Sequence, residues 1–113
     1  MERLVGYEKG DVVIFEFPFS NSDETKKRPS LVVAVLKGED VILCQITSQA
    51  RPDPDIIGLK EKDFQSGGIK RESHIRPAVL FTMHKSRIEY KAGRIKKEKI
   101  KEVEDKLCEI FTR

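Results

Sequence analysis

Two short stretches of this chain carry residue types that could act on a phosphate. In Lys26-Lys27-Arg28-Pro29 the proline ring pushes Arg28 into an extended conformation, so a guanidinium is presented from a stiffened backbone. In Val41-Ile42-Leu43-Cys44-Gln45-Ile46-Thr47, Ile42, Cys44 and Ile46 share one face at period two, while Val41, Leu43, Gln45 and Thr47 share the other. The second face turns polar toward its end, which places Gln45 and Thr47 at the edge of a core. Lys37-Gly38-Glu39-Asp40 is a turn signal between the two stretches. Its centre lies about ten residues past Arg28 and about eight before Thr47, so a hairpin brings both to the same end. A guanidinium beside a hydroxyl suits a phosphate, because planar N–H donors match two phosphate oxygens. A solvated basic loop and an ordinary strand threonine account for the same residues, and the pattern by itself leaves both readings open.

Two other sets of reactive side chains offer less. His74 and His84 suggest acid–base chemistry, since imidazole titrates near neutrality. A predicted strand lies between them, about 17 Å for five residues, and one histidine is expected on the surface with the other in a loop. Cys44 and Cys108 lie in apolar stretches without a CxxC spacing, so both are read as buried thiols in a reducing compartment. No metal ligand cluster is apparent, and neither a metal nor a cofactor is expected.

The elements that must hold these residues follow from patterning. With 113 residues, 38% hydrophobic and 36% charged, the chain suits one small domain over 1–113. No apolar run approaches the roughly 18 residues of a membrane span, and Met1 to Gly10 lacks the apolar region of a signal peptide. A cytoplasmic protein is expected, without a membrane. Residues 11–19 read as a strand with Phe15, Phe17 and Phe19 on one face, residues 20–25 as a loop, 30–36 as an apolar strand and 41–47 as its hairpin partner. Residues 49–55 are a loop with two prolines, 56–59 a short edge strand, 66–68 a turn and 78–83 another strand. Residues 86–90 extend or pair with that strand, and Gly93 ends the β region. From Lys97 the period changes: Ile100, Val103, Leu107, Ile110 and Phe111 share one helical face, with Glu102 and Lys106 as an i,i+4 pair. Five or six short strands and one terminal helix suggest a small, curled antiparallel barrel.

The formal charge of +3 is unevenly spread. Residues 85–113 hold 10 basic and 6 acidic side chains, which leaves residues 1–84 at a net charge of −1. In the helix, glutamates and an aspartate interleave the lysines, which fits a solvated face better than a groove for nucleic acid. A basic balance of this kind is weak support for nucleic-acid binding.

Lys9-Gly10-Asp11-Val12-Val13, Phe17-Pro18-Phe19 and Lys27-Arg28-Pro29-Ser30-Leu31-Val32-Val33 together resemble the opening of the MazF/PemK family of toxins. Gln45-Ile46-Thr47-Ser48-Gln49 is similar to that family's second motif. Residues 73–88, with Ile75-Arg76-Pro77 and Leu80-Phe81-Thr82, resemble its third. The resemblance implies a mainly β, SH3-like barrel of the CcdB/MazF type with a C-terminal α-helix, normally a homodimer. It implies metal-independent, sequence-selective cleavage of single-stranded RNA by the substrate's own 2′-OH, held in check by a cognate antitoxin. The family's catalytic arginine falls on Arg28, its catalytic threonine on Thr47, and its RNA-binding loop on residues 20–27. Asp23 or Glu24 in that loop would then be candidates to take the 2′-OH proton, and Lys27, Gln45, Ser48, Gln49, Arg51 and Arg76 to hold the RNA. The sequence departs from the family where the loop lacks a glycine and where His84 replaces an acidic residue. The alternative is a non-catalytic module on the same barrel, either a CcdB-like gyrase poison or a binder of nucleic acid or antitoxin.

Overall fold

The computed structural model describes residues 6–18, 25–49 and 52–113. Seven strands run β1 (Asp11–Pro18), β2 (Thr25–Val35), β3 (Asp40–Thr47), β4 (Ile57–Leu59), β5 (Phe64–Gly67), β6 (Ser73–His84) and β7 (Ile88–Ile95), followed by α1 (Lys97–Thr112). They form one antiparallel sheet in the order β4-β6-β3-β2-β1-β7-β5. Five register shifts interrupt four of its six ladders: two fall in β1–β7 and one each in β2–β3, β3–β6 and β5–β7, while β1–β2 and β4–β6 run without one. Such bulges sharpen the local twist, which is how a sheet of this length curls on itself.

Both faces of the sheet are apolar. One carries Val12, Leu31, Cys44, Ile46, Ile75 and Ile95, and α1 closes it with Val103, Ile100 and Leu107. The other carries Val13, Phe15, Val32, Val41, Leu43 and Ile88, with Tyr7, Phe81 and Met83 packed around them. The alternation expected of β3 is therefore present, but both of its faces contribute to a core. Asp11, fully buried, ties the start of β1 to β7: its carboxylate accepts from Arg94 Nη1 at 3.0 Å and from the Glu8 backbone N–H at 2.8 Å, and pairs with Lys91 at 3.2 Å.

Several expectations need correction. Among the described residues there are seven strands, not five or six: Ser66 and Gly67, read as part of a turn at 66–68, belong to an edge strand, Phe64–Gly67, beside β7. Gly93 lies inside β7 instead of ending it, since β5 crosses so closely there that a side chain has no space. Phe111 is exposed and leaves the buried face of α1. Glu102 pairs with Lys99, and Lys106 with Glu109, so the anticipated Glu102–Lys106 pair is replaced by two i,i+3 contacts. Cys108 is exposed, whereas burial pushes the Cys44 thiol up to about 12.

At the β5–β7 crossing, Gly67 adopts φ +64°, and a Cβ there would stand 2.2 Å from the Ala92 carbonyl oxygen. Left-handed backbone and the close approach both oppose a side chain. Gly67→Ala should therefore cost about 2 kcal/mol, read as a lower urea midpoint at unchanged slope.

Candidate active site

The β2–β3 ladder ends at the pair Ser30↔Gln45. Beyond it β2 stays paired with β1 alone, and Pro29, which has no N–H to give, sits where β2 has left β3. Continuing the register by two residues sets Arg28 level with Thr47 across the opening. Both line a cleft of about 960 Å3. Lys26, Lys27, Lys70, Arg71 and Lys91 line it too, and among the described residues no carboxylate does. Arg28 also lines a second, more apolar cavity of about 400 Å3 with Phe15, Gln45, Leu80, Phe81 and Met83. A polar anion cleft and an apolar pocket thus meet at one guanidinium.

Thr47 is buried, and its Oγ1 accepts the Gln49 backbone N–H at 3.2 Å. That bond turns the chain at the end of β3 and leaves the hydroxyl proton to donate. Ser48 and Gln49 are exposed on the cleft wall. Lys27 pairs with Glu89 at 2.9 Å, and the hydrogen bond and charge of that carboxylate raise its pKa. Lys26, Lys70 and Arg71 make no ion pair among the described residues; Lys26 falls in the stretch 20–27 that the resemblance gave to RNA, and no sequence pattern marked Lys70 or Arg71. They come from β2 and from the segment before β6, which only folding brings to one wall. Asp23, Glu24 and Arg51 lie outside the described residues.

Gln45 and Arg76, both expected to hold RNA, are bonded to each other. Arg76 donates from Nη1 to Gln45 Oε1 and from Nε to Asp53 Oδ2, both at 2.9 Å. Asp53 also accepts the Asp55 backbone N–H, at 2.9 Å. The Arg76 hydrogen bond, then the Asp55 N–H, hold the Asp53 carboxyl below the usual carboxylate range. This network pins residues 52–55 against β6 at Arg76. A folded pKa below the unfolded one means that Asp53 stabilises the fold above about pH 4 and loses that contribution as pH falls through its lowered pKa. Arg76→Ala should return the Asp53 titration, followed by NMR of the side-chain carboxyl, toward the ordinary range. An unchanged titration would mean that Arg76 is not its main partner.

The two histidines stand at opposite ends of the twelve-residue β6. His84 Nδ1 lies 2.8 Å from Ser86 Oγ and accepts the Ser86 N–H, capping a short turn. His74 is paired across the ladder with Thr47. A two-histidine acid–base scheme is thereby excluded within one protomer, and neither histidine sits in a loop.

A family model for the PemK-like, MazF-like toxins of type II toxin–antitoxin systems matches residues 8–111. The chain belongs to this family. Comparison with curated protein sequences finds no significant match. Among solved structures, this PemK/MazF-like toxin resembles the MazE–MazF complex of Deinococcus radiodurans, with a TM-score of 0.72 and 20% identity over 93% of this chain and 95% of that one. It also resembles an endoribonuclease in complex with its cognate antitoxin from a mycobacterial species, with a TM-score of 0.70 and 13% identity over 94% and 95% of the two chains. The Mycobacterium tuberculosis toxin MazF-mt6 gives a TM-score of 0.67 and 14% identity over 89% and 95%. At these identities the likeness establishes the fold, a mainly β curled sheet with one C-terminal helix. Among the described residues no helix is long and apolar enough to cross a membrane, and no three His, Cys, Asp or Glu side chains gather as a metal site.

Proposed function

We propose that this toxin is a metal-independent, sequence-selective endoribonuclease that cuts single-stranded RNA such as mRNA, with Arg28 and Thr47 at its catalytic centre. The observation that carries the reading is the register of β2 and β3, which sets a guanidinium level with a hydroxyl in a cleft walled by cations. In such cleavage the substrate's 2′-OH attacks the adjacent phosphorus, so the protein needs no nucleophile of its own. Its work is to align the attack and to stabilise the charge that grows on the non-bridging oxygens. Arg28 does the second at any physiological pH, because guanidinium keeps its proton. The Thr47 hydroxyl donates to a phosphate oxygen, and Lys26, Lys70 and Arg71 hold flanking phosphates with Lys27, Ser48 and Gln49. Gln45 lines the apolar cavity, where Arg76 holds its side chain by a hydrogen bond.

The protein acts in this reading as one domain over 1–113, as a cytoplasmic homodimer inhibited by a cognate antitoxin; an endoribonuclease in complex with its cognate antitoxin is among the structures that share its fold. Incubating the purified protein with a long single-stranded RNA in EDTA tests the activity. Discrete cleavage products are expected. Intact RNA, or cutting that stops on chelation, would overturn it, and inhibition of gyrase supercoiling would establish a poison in its place.

A further inference from the structure

We infer that His74 is the general base of this site: its imidazole takes the 2′-OH proton as the oxygen attacks phosphorus. The inference rests on the ribonuclease reading above and adds to it the group that Arg28 and Thr47 do not supply. Guanidinium holds its proton and cannot accept one, and a threonine hydroxyl is a poor base, whereas imidazole accepts a proton near neutral pH.

The placement comes from a break in the β3–β6 ladder. From Asp40 to Cys44 the strands pair in one register, ending at Cys44↔Leu80, and the next pair is Gln45↔Arg76. Pro77, Ala78 and Val79 are left over in β6, at a proline that has no N–H for the ladder. Without that bulge the first register would set Pro77 opposite Thr47. With it, His74 is the partner of Thr47. Directly opposed residues of antiparallel strands share a face with Cβ atoms about 4.5–5.5 Å apart, and the Gln45–Arg76 hydrogen bond two residues along shows the same face in use. On its other side His74 pairs with Gly58 of β4, where even an added Cβ would meet nothing within 4 Å. His74 thus stands opposite Thr47 on one side and opposite the side-chain-free Gly58 on the other.

His74 Nδ1 is buried and has no hydrogen-bond partner among the described residues. Orphaned buried polar atoms are uncommon in folded proteins and each calls for a reason. With Nδ1 inside and the residue half-buried, Nε2 is the nitrogen that can meet substrate. The charged groups that the register puts on the same side are Arg76, two residues along β6 and paired with Asp53 from the segment before β4, and Arg28, level with Thr47 when the β2–β3 register is continued past Ser30↔Gln45. In the step, the 2′-oxygen–phosphorus bond forms, its proton passes to Nε2, and the phosphorus–5′-oxygen bond breaks. The departing oxygen takes a proton from water, leaving a 2′,3′-cyclic phosphate and a 5′-hydroxyl end.

The test uses a short RNA cut by the wild-type protein and its analogue with a 2′-deoxy sugar at the cut. His74→Gln should lower kcat about 10²- to 10⁴-fold, with KM and affinity for the deoxy analogue unchanged. Added imidazole should restore part of the activity of His74→Ala. A substrate with sulfur as the 5′ leaving atom needs no proton donor, so the His74→Gln defect should persist on it. Disappearance of the defect there would overturn the base assignment in favour of a general acid. Wild-type rates in both variants, or a loss matched by weaker binding of the analogue, would overturn the inference while leaving Arg28 and Thr47 in place. A wild-type protein that cuts no RNA would instead sink the ribonuclease reading itself.

Discussion

Arg28→Ala is expected to lower kcat/KM for RNA cleavage by at least about 10³-fold, because it removes a full positive charge from the point where charge grows in the transition state. Arg28 is only partly buried, and Phe15 opposite it in the β1–β2 ladder stays packed against Phe81, with ring centroids 5.6 Å apart. The core beneath should thus survive, and thermal unfolding should move little. Arg28→Lys separates charge from geometry. A lysine keeps the cation but loses the planar pair of donors, so partial activity is expected if charge dominates and near-complete loss if bidentate contact does. Cleavage rates on a long RNA, alongside an unfolding curve for each variant, distinguish these outcomes. A fully active Arg28→Ala protein would remove the site assignment altogether.

Asp11→Ala should destabilise the fold by about 3–4 kcal/mol, near the cost of breaking a buried ion pair by removing one partner. The carboxylate is fully buried and joins three segments: the turn at Glu8, the start of β1, and Lys91 and Arg94 of β7. Its loss leaves the Glu8 N–H without that acceptor and two cations without their shared anion. Arg94 and Lys91 are each partly exposed and can turn toward water, which keeps the expected cost below the upper end of the range. Urea unfolding measures it, and Asp11→Asn, which keeps the acceptor oxygen and the shape, should recover part of the difference. Lys91 also lines the cleft, so Asp11→Ala is expected to loosen one wall of the site as well.

What could be read from the chain alone was whatever depends on local spacing. Alternation in residues 41–47, the turn at 37–40 and the helical period after Lys97 are short-range patterns, and each appears in the fold at nearly those bounds. The hairpin also brought Arg28 and Thr47 to one end, because a tight turn sets register by counting residues. Long-range effects were not legible. Gly93 reads as a terminator, yet it sits within β7 because β5 passes too close for a side chain. Arg76 reads as a free cation, yet Asp53 and Gln45 claim it across separations of 23 and 31 residues.

The charge balance shows the same division. By count the positive excess lies in the C-terminal segment, and residues 1–84 have a net charge of −1. In the fold, Lys26, Lys70 and Arg71 from that acidic portion meet on one wall, so a local field forms that no sum over the chain can express. Local spacing set the strand and helix patterns, the family motifs and the hairpin that brings Arg28 and Thr47 to one end, since each depends on neighbours within a few residues; the bulge between Val32 and Ala34 then sets the two level. Only the tertiary structure decided which cations wall the cleft and that His74 stands beside Thr47, because a three-residue bulge at Pro77 resets the register between strands far apart in the chain.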